Sequence, residues 1–311
     1  MRITNHNPLI SIIIPTVNQV KLVVDCLNSL KNTEQNASFT CEIIIVDDGS
    51  SAELQAELKR ILASYPVKLI TRPENLGFAT TVNQGVAASS GRFICLLNND
   101  VTLIQPNWLS IMLQEAERPQ VGVVGPRLLY PDHRIQHGGI IYVPETGGFD
   151  HEYRYQPENT PLALRSREVL GVTGAIMLIN RTLWNNLGGM DQRFFVGMED
   201  VDFCLRTWEN GWRIIYSGAA YALHPEGTTR GPDPHWHAKG LESCHQFALK
   251  WQSKLRRLRI GQVVGKSTSE AQAREWQRLV GRKWHQSFQS QGSHPSMNSR
   301  NQGKTVFRSR L

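Results

Sequence analysis

Four polar clusters in this 311-residue chain contain side chains from which a binding or catalytic site could be built, and they lie at the ends of strand-like apolar runs. Hydroxyl, amide and carboxylate oxygens are ligands for hard cations, and carboxylates also accept protons. Turns and helix N-caps use the same residue types, so any one cluster alone is also explained structurally. In chain order the clusters are Pro15-Thr16, Asp47-Asp48-Gly49-Ser50, Asn98-Asn99-Asp100 and Glu199-Asp200-Val201-Asp202.

The third cluster places a single acid, Asp100, beside two amides, directly after the apolar run FICLL at 93–97. A hard cation such as Mg²⁺ or Mn²⁺ commonly takes one or two protein carboxylates and leaves its other positions to diphosphate oxygens and water. Asp100 alone is therefore sufficient to anchor a metal-bound nucleotide. A turn remains an alternative, because Asn-Asn-Asp favours left-handed and Asx-turn geometry.

The fourth cluster begins a predicted helix, in which Asp200 shares one side with Phe203, Cys204 and Thr207. A carboxylate held near the core could act as a general base, with a pKa set by desolvation and by its neighbours. The helix dipole also favours acids at this position for purely structural reasons. Further along, His224 ends the strand-like run AYAL and is either a metal ligand or a polar strand terminus.

Apolar runs and helical segments alternate along the first 125 residues and indicate how these clusters are positioned. Strands that are apolar on both faces and alternate with helices predict an α/β fold with a doubly wound, mostly parallel sheet and flanking helices. Ligands of such sheets bind beyond the carboxyl ends of the strands. The predicted strands are 9–15, 41–48, 67–72, 92–100 and 121–126, and the predicted helices include 19–31 and 52–63.

The second half of the chain differs from the first in amino-acid composition. Residues 127–170 are rich in Pro, Gly, His and Tyr, which indicates a long functional loop region with short strands. Regular structure is expected again from 171: the run 171–180, a short helix from Arg181, a helix near Glu199, strand 212–217, the run 220–227 and a helix over 235–256.

Composition excludes several classes of protein. The chain is 40% apolar, enough to fill a core, and it has neither a run of about 18 apolar residues nor a signal-peptide pattern at its start. We therefore expect a cytoplasmic globular protein. Its five widely spaced cysteines form no C-x-x-C pair and are expected to be reduced, mostly in the core.

Positive charge is concentrated at the C-terminus. Residues 252–311 contain 13 Lys and Arg against 2 acids, whereas residues 1–251 carry a net charge of −4, which argues against a nucleic-acid partner. A basic amphipathic helix is predicted within 251–288, with Trp276 and Trp284 on its apolar side. It either lies on the inner face of the cell membrane as a peripheral contact or packs on the domain. Residues 289–311 have the composition of a disordered tail.

Taken together and in order, the clusters resemble family 2 glycosyltransferases with the GT-A fold, especially a bacterial rhamnosyltransferase-like branch. The resemblance covers roughly residues 9–227 and rests on SIIIPTVNQ, IIIVDDGSS, RPENLGFATTVNQGVAASSGRFICLLNNDV, GVTGAIMLINRTLWNNLGGMDQRFF, EDVDFCLRTWENGW and ALHPEG. It implies metal-dependent transfer of a sugar with inversion at the anomeric carbon. It also suggests that the sugar is rhamnose and the donor dTDP-rhamnose. The donor is a nucleotide-diphosphate sugar, and the acceptor is a hydroxyl of a glycan or lipid-linked molecule in cell-surface polysaccharide synthesis.

The resemblance also implies roles for individual residues. Asp200 would be the catalytic base with Glu199 in reserve, and Asp100 and His224 would hold Mg²⁺ or Mn²⁺. Asn98 stands where the family's metal motif usually has its first acid, which reduces the local negative charge. The donor would contact Pro15, Thr16, Asp47, Asp48, Asn75, Gly77, Asn83, Asn98 and Asn99, and the acceptor would contact Thr173, Gly174 and Trp212.

Two other functions remain open at this point. A nucleotidyltransferase would share the sheet but needs a Gly-rich loop after the first strand, where this chain has PTVNQVK. A non-catalytic sugar-nucleotide or glycan-binding module is favoured by Asn98 and disfavoured by Glu199-Asp200. The expected organisation is a GT-A domain over 1–250, with a nucleotide-binding half (9–125) and an acceptor-binding half (126–250), followed by the extension 251–288 and the tail 289–311. The sequence does not indicate an oligomeric state.

Overall fold

A large mixed sheet runs through the protein in the computed structural model, which describes residues 2–4, 7–33, 38–143, 145–227, 234–255 and 268–280. The strands are β1 (Arg2–Ile3), β2 (Ile10–Thr16), β3 (Thr40–Asp47), β4 (Lys68–Thr71), β5 (Phe93–Leu97), β6 (Val121–Leu129), β7 (Ile135–His137), β8 (Ile140–Val143), β9 (Gly148–His151), β10 (Arg167–Glu168), β11 (Ile176–Asn180) and β12 (Arg213–Leu223). The helices are α1 (Val20–Thr33), α2 (Ala52–Leu62), α3 (Phe78–Ala87), α4 (Trp108–Ala116), α5 (Arg181–Leu187), α6 (Glu199–Glu209), α7 (Pro234–Leu255) and α8 (Ser269–Val280).

The sheet has the order β1-β3-β2-β5-β11-β6-β12-β10, with β4 also paired to β3 and β7 to β6. The pairs among β1 to β5 are parallel, as is β6 with β12. The predicted mostly parallel sheet with flanking helices is therefore confirmed. The predicted strand 212–217 is longer than expected, because it continues through the AYAL segment as one strand, β12, with an irregularity between Ser217 and Tyr221.

Both faces of the sheet are buried, as the strand composition predicts. In β2 the side chains of Ile12 and Ile14 pack in one core, with α1, α2 and α4, whereas Ile13 packs in the other, with α3, α5 and α6. All three are fully buried. Burying a side chain of this size is worth roughly 1.5–3 kcal/mol, so the Ile-rich strands anchor the elements whose ends carry the polar clusters.

One strand reverses the direction of the sheet at its centre. β11 lies antiparallel between β5 and β6, with Ile176 opposite Leu97. The start of an antiparallel strand lies at the sheet edge where its neighbours end. The segment Thr173-Gly174-Ala175, which leads into β11, therefore lies beside the carboxyl end of β5, and the Asn98 N–H donates to the Ala175 carbonyl at 2.9 Å.

The segment expected to be a functional loop folds as short strands over this edge. β7 pairs with β6, and β8 and β9 form a separate two-stranded hairpin. We refer to residues 135–143 and 145–154 as the insert. It is connected to the main sheet through Ile140, whose N–H donates to the Gly171 carbonyl at 2.8 Å.

The C-terminal helices pack on the domain. The predicted boundary at residue 250 falls inside α7, whose side chain Trp251 is 1% exposed and lies 5.9 Å from the ring of Trp276 in α8. Trp276 is also 1% exposed, so this part of the predicted amphipathic helix directs its apolar side into the core. Trp284 and the predicted tail 289–311 lie outside the described residues.

The five cysteines are free thiols; Cys26, Cys41, Cys95 and Cys204 are buried, and Cys244 is exposed. Among the residues described, no helix is both long and apolar enough to cross a bilayer.

Candidate active site

A cavity of about 370 Å³ lies at the carboxyl edge of the sheet, where the polar clusters come together. Its walls are the ends of β2, β3 and β5, the segment before β11, the start of α6, the end of β12 and the insert. Of the residues predicted to form a site, the cavity is lined by Pro15, Thr16, Asp48, Asn98, Asn99, Asp100, Thr173, Gly174, Glu199, Asp200 and His224. Residues from distant parts of the chain thus share one site.

Asp48 is held rigidly at the end of β3. Its Oδ1 accepts from the Leu76 N–H at 3.0 Å and from Arg72 at 3.2 Å, and its Oδ2 accepts from the Gly77 N–H at 3.0 Å. Burial raises the pKa of Asp48, against the opposing effect of the Leu76 hydrogen bond. Gly77 has φ of +87°, and a Cβ there would lie 2.4 Å from the Phe195 carbonyl oxygen, so this loop requires glycine.

The end of β5 is connected to the end of β2. Asn99 donates from Nδ2 to the Thr16 hydroxyl at 2.9 Å, and both side chains are buried. Asn98 also lines the cavity. Two amides thus follow the strand as neutral hydrogen-bonding groups, and Asp100 is the acid that this cluster contributes.

Asp100 and His224 meet because a short bridge joins their segments. Thr102 and Leu223 exchange two backbone hydrogen bonds, at 2.9 and 3.0 Å, which brings the end of β12 against the segment after β5. As a result, His224 Nε2 lies 3.4 Å from Asp100 Oδ1, and both side chains are less than a tenth exposed. Gln136 of the insert lies on the other nitrogen, with Oε1 3.4 Å from His224 Nδ1.

This pair fits a divalent cation. Asp100 Oδ1 is buried and accepts no hydrogen bond in the described part of the chain, so an oxygen is available at the cavity wall. Within that same part no group of three or more His, Cys, Asp or Glu side chains could hold a metal. Two protein ligands suit Mg²⁺ or Mn²⁺ that completes its coordination with diphosphate oxygens and water.

Asp200 also lines the cavity, from the first turn of α6. Its Oδ2 accepts from the Gly174 N–H at 2.9 Å and its Oδ1 accepts from the Val201 N–H at 2.8 Å. A Cβ placed on Gly174 would lie 3.4 Å from Asp200 Cβ, an ordinary van der Waals distance, so the segment before β11 packs directly against the acid. Glu199 is also buried at the cavity wall.

Asp202, the third acid of this cluster, has a structural environment. It is fully buried and pairs with Arg206 at 2.7 Å, with Lys250 at 2.6 Å and with the Trp251 indole N–H at 2.8 Å. These contacts connect α6 to α7 and set the position of the helix that carries Asp200.

Five predicted donor or acceptor residues do not line the cavity. Asn83 instead exchanges two hydrogen bonds with the backbone of Met190, at 2.8 and 2.9 Å. Trp212 packs beside Gly122 at the start of β6, so the structure does not support its assignment to the acceptor wall. Asp47 pairs with Ser50, Asn75 accepts from the Gly77 N–H at 3.0 Å, and Gly77 itself binds Asp48. Asp47, Asn75 and Gly77 therefore support the residues that line the cavity without lining it themselves.

The insert contributes a part of the wall that the sequence motifs did not predict. Gln136, His151 and Arg154 line the cavity, together with Glu226 after β12. Arg154 pairs with Glu226 and donates to the Tyr130 hydroxyl at 2.9 Å. Burial would raise the pKa of Glu226, but the hydrogen bond from Tyr130 and the charge of Arg154 outweigh it and lower that pKa. The concentration of His and Tyr in 127–170 was the available signal.

The two sides of the cavity differ in depth. Thr16, Asp48 and Asp100, at the sheet edge, are 5–7% exposed. His151, Arg154 and Trp236 are only half-buried. The cavity therefore has a deep side on the sheet, where Gln136 of the insert is also buried, and a shallower side formed by His151, Arg154 and α7.

The arrangement of the sheet is that of GT-A proteins. The mannosyltransferase PcManGT from Pyrobaculum calidifontis, solved in complex with GDP-Man and Mn²⁺, superimposes with a TM-score of 0.58 over 94% of this chain and 78% of its own, at 16% sequence identity. At that identity the likeness establishes the fold. The family model Glycosyl transferase family 2 matches residues 11–185, and the chain belongs to this family.

Two curated relatives are similar to this chain. The O-antigen biosynthesis protein RfbC of Myxococcus xanthus is 32% identical over 73% of this chain, which spans 18% of the RfbC length. The N-acetylglucosaminyl-diphospho-decaprenol L-rhamnosyltransferase of Mycobacterium tuberculosis is 29% identical over 63% of this chain and 70% of its own length.

Proposed function

We propose that the protein is an inverting glycosyltransferase that moves a sugar from a nucleotide-diphosphate donor to a hydroxyl of a glycan or lipid-linked acceptor in polysaccharide synthesis. The observation that carries the proposal is the meeting of Asp48, Asp100, His224 and Asp200 in one cavity. Residues suited to a nucleotide and a cation line its deep side, and a carboxylate suited to proton transfer, Asp200, lines the same cavity.

The donor half of the site follows from these contacts. We assign Thr16, Asp48 and the two amides Asn98 and Asn99 to the nucleoside and diphosphate, and Asp100 and His224 to Mg²⁺ or Mn²⁺. When bound, the cation offsets the negative charge that develops on the departing diphosphate. The Mn²⁺ in the PcManGT complex is consistent with this assignment.

Asp200 is assigned as the general base. Its carboxylate takes the proton of the acceptor hydroxyl as that oxygen forms a bond to the anomeric carbon from the face opposite the diphosphate. The bond from the anomeric carbon to the diphosphate oxygen breaks at the same time, and its electron pair leaves with the diphosphate. The hydrogen bonds from the Gly174 N–H to Oδ2 and from the Val201 N–H to Oδ1 hold the carboxylate in place, and each oxygen keeps a lone pair that can accept the proton.

We extend the proposal to the sugar and the location. Rhamnose from dTDP-rhamnose is the first donor to test, because one relative is named as an L-rhamnosyltransferase that acts on a diphospho-decaprenol carrier. A lipid-linked acceptor would place the protein at the cytoplasmic face of a membrane, with the basic extension 251–288 as the peripheral contact. The buried Trp276 leaves that contact to the charged side of α8 and to residues beyond it.

The test is release of nucleotide diphosphate from a donor panel that includes dTDP-rhamnose, UDP-sugars and GDP-mannose, with and without Mn²⁺ or Mg²⁺. We expect release with at least one donor and its loss in Asp200→Asn. Metal-dependent nucleotide binding without release from any donor would contradict the proposal and indicate a binding module.

A further inference from the structure

Two histidines of the insert share one hydrogen bond at the cavity wall. His137 Nδ1 lies 2.7 Å from His151 Nδ1, and the ring centroids are 4.7 Å apart in an edge-on arrangement. At that distance one nitrogen carries the hydrogen and the other accepts it. The accepting ring must then carry its own hydrogen on Nε2, so the two rings are different tautomers.

The surroundings of His137 decide which ring donates. His137 is fully buried, and its Nε2 has no hydrogen-bond partner in the described part of the chain. A buried N–H without a partner is costlier and rarer than a bare acceptor, and the nearby positive charge of Arg167 also favours a bare nitrogen. His137 therefore donates from Nδ1, and His151 accepts on Nδ1 and carries a hydrogen on Nε2.

The pair stays neutral near pH 7. Burial lowers the pKa of His137 well below its ordinary value, helped by the charges of His151, Arg167 and His224. Burial also lowers the pKa of His151, although Asp200 and Glu226 act in the opposite direction. Arg154 and Asp150 are the other charged groups that act on His151.

We propose that His151 donates a hydrogen bond from Nε2 to an oxygen of the acceptor sugar, next to the hydroxyl that Asp200 deprotonates. His137 is then the positioning residue that holds His151 in this tautomer. This inference rests on the proposed function. His151 and Asp200 both line the cavity. With Nδ1 engaged by His137, Nε2 is the ring nitrogen of His151 that is left to bind a ligand there. The site thus selects an acceptor with an oxygen for Nε2 besides the hydroxyl that Asp200 deprotonates.

The tautomers can be read directly by NMR on the full-length protein labelled with ¹⁵N-histidine, with signals assigned from single variants. We expect His137 to carry its proton on Nδ1 and His151 on Nε2. In His137→Phe the hydrogen bond is lost, and the His151 signals should shift toward those of a ring that exchanges between tautomers. A proton on Nδ1 of His151 in the wild-type protein would overturn the proposal.

The acceptor contact is tested by titrating the same sample, with Mg²⁺ and dTDP or UDP present, with methyl glycosides of N-acetylglucosamine, glucose, galactose and mannose. We expect the His151 Nε2 signal to move with at least one glycoside, while the exposed His133, which pairs with Glu158, does not move. If His151 does not respond to any glycoside, the proposal is wrong.

Two substitutions separate the role of Nε2 from that of Nδ1. The amide of His151→Gln reaches the Nε2 position and should keep glycoside binding, whereas that of His151→Asn reaches only Nδ1. In His151→Asn we expect at least about tenfold weaker glycoside binding, the worth of one hydrogen bond, with dTDP or UDP binding unchanged. Equal weakening in both variants would contradict the assignment. If no donor of the panel releases nucleotide diphosphate, the proposed transferase activity is refuted, whereas the glycoside-binding results still decide whether His151 contacts a sugar.

Discussion

At the scale of single residues, the proposed cation site depends on Asp100, whose buried Oδ1 accepts no hydrogen bond in the described part of the chain. The sequence predicted Asp100 and His224 separately, because each ends an apolar run. It could not predict that they meet, because that depends on the bridge between Thr102 and Leu223, which are 121 positions apart.

We expect Asp100→Ala to lose at least about a hundredfold in sugar transfer, because one of two protein ligands to the cation is removed. Asn98→Asp keeps Asp100 and adds a second negative charge to the same cluster, so this variant should retain activity at lower cation concentration. Transfer rate measured against Mn²⁺ concentration checks both variants. Normal transfer by Asp100→Ala would refute the metal assignment.

For the base, Asp200→Asn should lower kcat by about 10²–10⁴-fold, since the amide cannot accept the acceptor proton. Donor binding should not change, because Asp200 is hydrogen-bonded to Gly174 and Val201 and not to the residues assigned to the nucleotide. The matched variant is Glu199→Gln, which tests the reserve candidate. If Glu199→Gln loses more activity than Asp200→Asn, the two roles must be exchanged.

At the scale of secondary-structure elements, periodicity predicted the strands and helices of the first half because both faces of that sheet are buried. It did not predict that β11 runs antiparallel, since a fully apolar strand looks the same in either direction. Nor could it position the insert, whose strands are only three or four residues long. Most of the residues that were missed belong to this segment.

The C-terminal helices are expected to stabilise α6. Trp276→Ala removes a buried indole that packs on Trp251 and should reduce the free energy of unfolding by about 3–5 kcal/mol. Urea unfolding measures this loss. Arg274→Ala, on the exposed side of the same helix, breaks only a surface pair with Glu270 and should cost less than about 1 kcal/mol.

The same pair of variants bears on membrane contact. If the apolar side of α8 binds lipid, Trp276→Ala should reduce binding to anionic liposomes at a temperature where it remains folded. We expect no such reduction, because the indole is already in the core. Any binding should instead decrease when Arg274 and Arg278 are replaced together.

At the scale of the whole molecule, the pair formed by the fully buried His137 and the half-buried His151 links stability to pH. The pKa values of His137 and His151 are lowered in the folded protein, so below about pH 6.5 the unfolded chain binds protons that the folded chain does not. Stability is therefore full above that pH and falls as the pH decreases through it, by up to about 1.4 kcal/mol per pH unit for each ring.

Urea unfolding at pH 7.5 and pH 5.5 measures this dependence. We expect the wild-type protein to lose stability over that interval and His137→Gln to lose less, whatever its stability at pH 7.5. An equal pH dependence in the two proteins would show that His137 does not remain neutral in the fold.

The difference in depth between the two sides of the cavity has a kinetic consequence. Thr16, Asp48 and Asp100 are almost fully buried, so a donor that reaches them past the more exposed His151 and Arg154 would have its way in and out blocked by an acceptor seated there. The order of binding should then be compulsory, with the sugar nucleotide entering first and the nucleotide diphosphate leaving last. Product inhibition would reveal this order: the nucleotide diphosphate would compete with the donor but not with the acceptor.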